Sequence, residues 1–176
     1  MKNTAMEQRI SDEIRSFIDS RRSLQLATLG ENGYPYASYA PFARDDSSFY
    51  VLLSDIAVHG VNLSQEPRAS VLIIEDEDPA GELYARVRVA YQVDAQKLNL
   101  ESEDGKSAIE HLVARHGERP GHLAQLADFH LFRLTPTRGR YVKGFGKAYE
   151  LRGESLLEVS IDHLRIGHTP RADAAA

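Results

Sequence analysis

The segment SLQLATLGENGYPYASYAPF, residues 23–42, consists of two alternating runs of side chains separated by a short polar turn. Residues 23–29 alternate between two faces, which is the pattern of a half-buried strand. Residues 30–33, Gly-Glu-Asn-Gly, contain the Asn-Gly pair that favours a tight hairpin loop. Residues 36–42 alternate again and predict the returning strand. The segment therefore predicts an antiparallel hairpin as the first unit of the sheet.

Elements on either side extend this hairpin into a meander preceded by a helix. Residues 1–22 predict a helix, because Thr4 and Glu7 form a capping box and apolar side chains recur at helical spacing. The apolar stripe consists of Met6, Ile10, Ile14, Phe17 and Ile18. A polar turn at 45–48 and an apolar run at 49–53 predict the third strand of the meander.

The rest of the chain contains both strand and helix patterns. Predicted strands lie at 69–74, 83–93, 129–134 and 139–151, with the last two joined at Pro136, and predicted helices lie at 54–65 and 106–116. This pattern predicts an α+β fold built on a small antiparallel β-barrel with peripheral helices, and an open α+β sheet is the alternative. Because side chains fill so small a barrel, we expect a ligand on its outside or where two barrels meet. We interpret residues 1–176 as a single domain with a polar tail at 162–176.

Composition excludes several classes of function. The 176 residues include no cysteine, which excludes disulfides, thiolate catalysis and cysteine-ligated metal centres. The formal net charge of -5 is a poor basis for nucleic-acid binding, which needs a basic surface. The chain begins without the apolar block of a secretory signal, and no stretch approaches the roughly 18 apolar residues of a membrane helix. We therefore expect a soluble cytoplasmic protein with no nucleic-acid partner and no membrane partner.

Two arginines on one predicted strand are candidates for an anion site. Arg86 and Arg88 are two residues apart and would point to the same face of the strand at 83–93. Their neighbouring charges require either a cross-strand Asp or Glu or a bound phosphate or carboxylate. Lys143 precedes a bare Gly-x-Gly at 144–146, which lacks the third glycine of a dinucleotide site and indicates a bulge in a strand. Lys143 either holds an anionic group or is an ordinary exposed lysine.

The seven histidines show no zinc-binding spacing. His59 and Asn62 lie about one helical turn apart, where the pair either caps a strand or faces a ligand. His163 and His168 lie in the predicted tail, where each is either solvated or able to reach a metal. Asp128 precedes a predicted strand and is interpreted as a turn or cap carboxylate. The residues alone leave these alternatives open.

Six segments, taken in order, resemble one known family. They are residues 24–42, 49–63 (FYVLLSDIAVHGVNL), 72–77 (LIIEDE), 84–89 (YARVRV), 126–136 (LADFHLFRLTP) and 141–151 (YVKGFGKAYEL). In order and spacing they are similar to the HugZ/HutZ haem-utilisation proteins, which belong to the pyridoxamine-phosphate-oxidase-like split-barrel superfamily. The resemblance implies a homodimeric split β-barrel that binds haem b at the dimer interface. It also implies that this haem is degraded oxidatively, with O2 and an external electron donor, to release iron.

The resemblance further implies which residues act. The family's axial ligand to the haem iron matches His168, and the carboxylate that partners this histidine matches Asp128. The family's distal-side arginine matches Arg88, and the histidine of its IAxHxxNL motif matches His59. Coordination of the haem iron is thus assigned to His168, with His163 as the rival ligand.

Arg86 and Lys143 complete the predicted site as cations for the anionic groups of the cofactor. The wider superfamily also contains flavin binders, so the fold alone does not select haem. An FMN-dependent oxidoreductase, with the phosphate held by arginine or lysine, is the first alternative function. A non-catalytic haem storage or delivery protein is the second.

Overall fold

The structure, a computed structural model, describes residues 4–152 and 160–164. Within these residues nine strands form one antiparallel sheet, and four α-helices accompany it. The strands are β1 (Ser23–Leu29), β2 (Pro35–Pro41), β3 (Ala43–Arg44), β4 (Phe49–Ser54), β5 (Arg68–Ile74), β6 (Arg88–Leu98), β7 (Phe129–Val142), β8 (Ala148–Arg152) and β9 (Ser160–Leu164). The helices are α1 (Thr4–Ser20), α2 (Val58–Gln65), α3 (Glu103–His116) and α4 (Arg119–Leu123). The predicted α+β class and antiparallel sheet are confirmed.

The hairpin predicted at residues 23–42 is confirmed. β1 pairs with β2 along its whole length. Gly33 has a φ of +76° in the connecting loop, a conformation that glycine adopts without steric cost. Leu24, Leu26 and Thr28 are all buried, so the alternation in the sequence correctly identifies the inner face of β1.

The sheet curls because one long strand connects two sets of neighbours. The strand order is β2-β1-β5-β6-β7-β4-β3, and β8 and β9 extend the sheet from β7. On one side β7 pairs with β6; on the other it pairs first with β4 and then with β8. β2 also packs against β4, which brings the edge of the sheet back towards its other half. The result is a split barrel rather than an open sheet.

The predicted break at Pro136 is wrong, because β7 is continuous through this residue. The register between β6 and β7 shifts opposite it, between Gln92 and Val93. A bulge accommodates proline, which has no N–H to donate to the ladder. Pro136 therefore interrupts the regular hydrogen bonding without ending the strand.

The strand predicted at 83–93 starts later than the pattern indicates. Leu83–Ala85 form a 3₁₀ turn, and the Glu82 side chain accepts a backbone N–H within it. β6 begins only at Arg88, so Arg86 and Arg88 do not share a strand face. The local cap at Glu82 outweighs the alternation of apolar and charged residues, because it satisfies a backbone donor directly.

Three further boundaries differ from the sequence-based expectations. α2 begins at Val58 and not at Ser54 or Asp55, and its N-cap makes no side-chain hydrogen bond. Residues 144–146 connect β7 to β8 and are not a bulge within a strand; their two glycines have positive φ. β9 includes residues 162–164, which the sequence pattern had assigned to the polar tail.

The main core lies between α1 and the inner face of the sheet. Ile10, Ile14 and Ile18 of α1 are fully buried there, as the predicted stripe requires. Tyr91 of β6 is also in this core, and its ring occupies the space beside Gly139 of β7. The close approach of the Tyr91 ring depends on glycine at residue 139.

We expect Gly139→Ala to destabilise the fold by about 1–3 kcal/mol, the usual cost of overpacking a core. A Cβ at this position would lie 2.6 Å from the Tyr91 ring and 3.2 Å from the Leu151 Cβ, so buried groups must move. Urea unfolding measures the change in free energy. Gly81→Ala is the matched control, because a Cβ there meets no described atom within 4 Å. Equal stability of the two variants would contradict this packing argument.

Candidate functional site

The predicted site residues that the structure describes fall into two groups at opposite ends of the β6–β7 ladder. Arg88 begins β6 and pairs with Val142, the last residue of β7. Asp128 immediately precedes the first residue of β7. The 14 residues of β7 span roughly 45 Å along the strand, at about 3.3 Å per residue. A single protomer therefore does not bring Arg88 and Asp128 into one small-molecule site.

A cleft of about 450 Å³ lies at the Arg88 end of the ladder. Arg88, Arg140, Tyr84, Phe145 and the glycines of residues 144–146 line this arginine cleft. Tyr84 and Phe145 are 89% and 60% exposed. Guanidinium groups beside exposed aromatic rings suit a flat apolar ligand that carries carboxylates or phosphates.

The two arginines identified from the sequence make different contacts. Arg88 is half-buried, and its Nη1 donates a 3.0 Å hydrogen bond to the carbonyl oxygen of Arg86. Arg86 donates from Nε to the carbonyl oxygen of Glu75 at 3.0 Å and also donates to that oxygen from Nη2. Its Nη1 lies 3.5 Å from the Glu77 carboxylate. Arg86 thus has its hydrogen-bond partners within the chain, a backbone carbonyl and the Glu77 carboxylate, and it does not line the arginine cleft, whereas Arg88 does.

Lys143 also has a partner within the chain. Its Nζ lies 2.5 Å from Oε2 of Glu13 on α1. It is not among the residues that line the arginine cleft. The structure therefore places Lys143 in a contact between the β7–β8 connection and α1.

The second group lies where β4 ends and β7 begins. The Ser54 hydroxyl donates a 2.7 Å hydrogen bond to Oδ2 of Asp128, and the Asp55 N–H donates to the Asp128 carbonyl oxygen at 2.8 Å. Nε2 of His130 lies 2.6 Å from Oδ2 of Asp55. Within residues 4–152 no donor contacts Oδ1 of Asp128. Asp128 therefore stabilises a turn, and no described donor contacts its second carboxylate oxygen.

His59 lies in a neighbouring groove of about 480 Å³ whose lining is mainly apolar. Its Nδ1 is 2.9 Å from the Ser38 hydroxyl oxygen. Burial lowers the pKa of His59, so its imidazole is neutral at neutral pH. Asn62 does not join His59 in a site; it donates a 3.0 Å hydrogen bond to the Thr28 hydroxyl and ties α2 to β1.

The two tail histidines are placed differently. His163 lies in β9, in register with Tyr149 of β8. His168 lies outside the described residues. In the part of the chain that is described, no group of three or more His, Asp or Glu side chains is placed to hold a metal ion. None of the described helices combines the length and apolarity needed to cross a membrane.

Arg140 is the residue of the arginine cleft that sequence reasoning missed. Arg138, Arg140 and Val142 alternate along β7 with the buried residues Gly139 and Tyr141. Applying the two-residue period to this stretch would have placed Arg140 on the outer face of the sheet. Its position beside Arg88 depends on the β6–β7 register, which the sequence pattern does not contain.

Comparison with known proteins identifies relatives over most of the chain. The family described as pyridoxamine 5'-phosphate oxidase matches residues 10–143. The haem oxygenase HutZ of Vibrio cholerae is 41% identical over 168 residues, which cover 96% of this chain and 94% of the relative. The chloroplastic non-canonical haem oxygenase HOZ of Arabidopsis thaliana is 32% identical over 148 residues, which cover 81% of this chain and 43% of the relative. The crystal structure of HutZ, described as a haem storage protein of Vibrio cholerae, has a TM-score of 0.72 at 39% identity and covers 76% of this chain and 94% of that one.

These findings identify both the class of fold and the family of this chain. The curled antiparallel sheet is a split barrel of the kind seen in the HutZ structure. The chain belongs to the pyridoxamine 5'-phosphate oxidase family and, within that family, is similar over nearly its whole length to the haem oxygenase HutZ. The resemblance drawn from the six sequence segments is confirmed.

Proposed function

We propose that this protein binds haem b and degrades it oxidatively, releasing the iron. One observation carries the proposal: a haem oxygenase is 41% identical to this chain over 94% of its own length. A relative at 32% identity bears the same activity in its name, which adds support. The reaction proposed for this protein is therefore that of a haem oxygenase, with haem as both the bound group and the substrate.

The residues of the arginine cleft fit a haem. Haem is a flat apolar ring with two propionate carboxylates, and it needs apolar contacts and cations in one place. Arg88 and Arg140 supply the cations, while Tyr84 and Phe145 supply exposed aromatic surface. His168 is proposed as the axial ligand, on the family resemblance. Bound haem would supply the oxidative chemistry, with O2 and electrons from outside the chain.

We also propose that two copies of the chain complete the site as a homodimer. Arg88 and Asp128 lie at opposite ends of one protomer, so both reach one haem only if different protomers contribute them. The outer face of β1, β2, β5 and β6 forms a shallow depression of about 530 Å³ that includes Ala27, Ala37 and Leu72. None of the described residues that line this depression is charged, as expected for a surface covered by a partner.

In this dimer, Asp128, His168 and Arg88 each have a proposed role. Oδ1 of the partner subunit's Asp128 accepts the ring N–H of His168, which fixes the tautomer and raises the basicity of the ligand imidazole. Arg88 binds an anionic group of the haem. Arg86 and Lys143 are not assigned to the haem, because the backbone carbonyl oxygen of Glu75 and the carboxylate of Glu13 already accept hydrogen bonds from them.

We expect Asp128→Asn to retain haem binding while weakening the iron–histidine bond and changing the rate of haem turnover. The amide keeps the shape of the carboxylate but removes the charge that polarises the imidazole N–H. Asp128→Leu should cost more, about 1–3 kcal/mol of binding, because the N–H then loses its acceptor. The iron–histidine stretching frequency and the turnover rate measure these effects.

Ser54→Ala is the matched control for Asp128. It removes the hydroxyl that donates to Oδ2 of Asp128 but leaves Oδ1 and the charge in place. Circular dichroism must be unchanged in all three variants. If Asp128→Asn has the wild-type stretching frequency and turnover rate, Asp128 only stabilises the turn.

A haem titration followed by a turnover assay tests the function as a whole. Appearance of a Soret band on adding haem supports haem binding, and loss of that band with ascorbate and O2 supports degradation. Intact haem under ascorbate and O2 would favour the storage role for which the solved HutZ structure is described. A yellow protein that retains FMN and gives no Soret band with haem would favour the flavin-dependent alternative.

The cellular role follows from the proposed reaction. The released iron would serve iron acquisition in the cytoplasm. A chain without cysteine is compatible with that reducing compartment. The sequence contains no nicotinamide-binding fingerprint, so the electrons are expected from another protein or a small molecule.

A further inference from the structure

Arg140 lies next to Arg88 on the outer face of the sheet. In the β6–β7 ladder Ala90 pairs with Arg140, and Arg88 pairs with Val142, so the two arginines are on adjacent strands and offset by two residues. Both line the arginine cleft. Arg140 is exposed, and no described residue accepts a hydrogen bond from its guanidinium group. Its donors are therefore available to a ligand in the cleft.

The neighbouring Arg138 provides a contrast on the same face of the same strand. Its Nη2 lies 2.7 Å from Oε2 of Glu150, and it does not line the cleft. The hydrogen bond from Arg138 lowers the pKa of Glu150, with smaller effects from the charges of Arg138 and Arg140. Glu150 is thus an ionised carboxylate that is bonded to Arg138, and it only partly offsets the charge of Arg140.

Two neighbouring guanidinium groups on one cleft wall repel each other, and a bound anion relieves that repulsion. Nη1 of Arg88 donates to the carbonyl oxygen of Arg86. Among the described residues none accepts a hydrogen bond from the Arg140 guanidinium, although Glu150 lies opposite it in the β7–β8 ladder. A guanidinium fork binds a carboxylate through two parallel hydrogen bonds. Haem carries two such carboxylates on one edge of its ring, so a pair of arginines matches that edge in number and charge.

We infer that Arg140 determines the specificity of the cleft for a carboxylate-bearing ligand by binding a propionate of haem beside Arg88. This inference rests on the proposed function, because it takes haem as the occupant of the cleft. Arg140 touches the carboxylate and not the reacting ring carbons or the iron. Its substitution therefore changes which porphyrin binds, and how tightly, more than it changes the chemistry.

The test compares haemin with haemin dimethyl ester, which has the same ring and iron but no carboxylate charge. We expect Arg140→Gln to weaken haemin binding by roughly 10- to 100-fold, the range for a hydrogen bond to a charged group. Binding of the dimethyl ester should be unchanged. Arg140→Lys, which keeps the charge but loses the fork, should give an intermediate affinity for haemin. Soret titrations on the full chain measure all of these dissociation constants.

Arg138→Lys is the matched control, since it alters an arginine on the same face but keeps a cation beside Glu150, whose carboxylate would otherwise be free to pair with Arg140 opposite it. It should leave the ratio of haemin to ester affinity at the wild-type value. The inference is overturned if Arg140→Gln weakens haemin and ester equally, or if it weakens neither. If the wild-type chain binds neither haemin nor its ester, or takes up only FMN, the proposed function itself fails. Failure of the proposed function is therefore seen with the wild-type protein, whereas failure of the Arg140 inference alone is seen only with the variants.

Discussion

Replacing His168 by alanine is expected to abolish the histidine-ligated absorption spectrum of the haem complex. An imidazole nitrogen on the iron sets the position and intensity of the visible bands, and a weak solvent ligand does not reproduce them. The apolar ring and the propionates would still hold the haem, so the affinity should fall less than the spectrum changes. Turnover should be lost as well, because a histidine bound to the iron would set its electronic properties.

His163→Ala is the matched control, five residues away. His163 lies in β9, where pairing with β8 fixes its backbone in register with Tyr149. We expect its removal to leave the spectrum unchanged. Added imidazole should restore a histidine-like spectrum to the His168→Ala variant by filling the vacated coordination position. A normal spectrum for His168→Ala together with a lost spectrum for His163→Ala would transfer the role to His163.

Ala27→Glu is expected to dissociate the proposed homodimer and, with it, to lower the affinity for haem. Ala27 lies on β1 in the uncharged depression on the outer face of the sheet, paired with Ala37 on one side and Ser70 on the other. A carboxylate buried without a partner costs about 3–5 kcal/mol, and a two-fold interface would contain it twice. The dissociation constant of the dimer should therefore rise at least about 100-fold.

The same substitution at an exposed position of α3, Ala114→Glu, is the control, because it adds the same charge away from this face. Sedimentation velocity reports the oligomeric state, and Soret titration reports the haem affinity of each variant. In a monomeric protein Ala27 is simply exposed, and glutamate there should be harmless. A wild-type chain that sediments as a monomer at micromolar concentration, and still binds haem normally, would refute both the dimer and the shared site.

The strands and helices of the barrel could be predicted wherever the spacing of apolar side chains fitted only one type of secondary structure. β1 alternates cleanly over seven residues, and its loop contains Asn32 and Gly33, so local conformation alone specifies the hairpin. The apolar stripe of α1 predicts its buried face for the same reason. At Leu83–Ala85 the alternation of apolar and polar residues wrongly predicted a strand, because the Glu82 side chain stabilises a turn there.

The candidate site was predictable in its residue types but not in its contacts. Arg86 and Arg88 appeared equivalent in the sequence, yet the backbone of Glu75 engages Arg86 while Arg88 lines the cleft. Lys143 was expected at the site, but Glu13, 130 residues earlier in the chain, pairs with it. Contacts between distant residues depend on which elements pack together, and local patterns do not carry that information.

The sequence by itself determined the class of fold, the family and the exclusion of cysteine chemistry, because these follow from local periodicity, ordered motifs and composition. Only the tertiary structure decided that Arg88 and Asp128 lie at opposite ends of one ladder and that Arg140 lies beside Arg88. The β6–β7 register sets both arrangements. That register results from burying the inner face of each strand against α1, together with the bulge at Pro136, and it depends on pairing residues that are tens of positions apart in the chain.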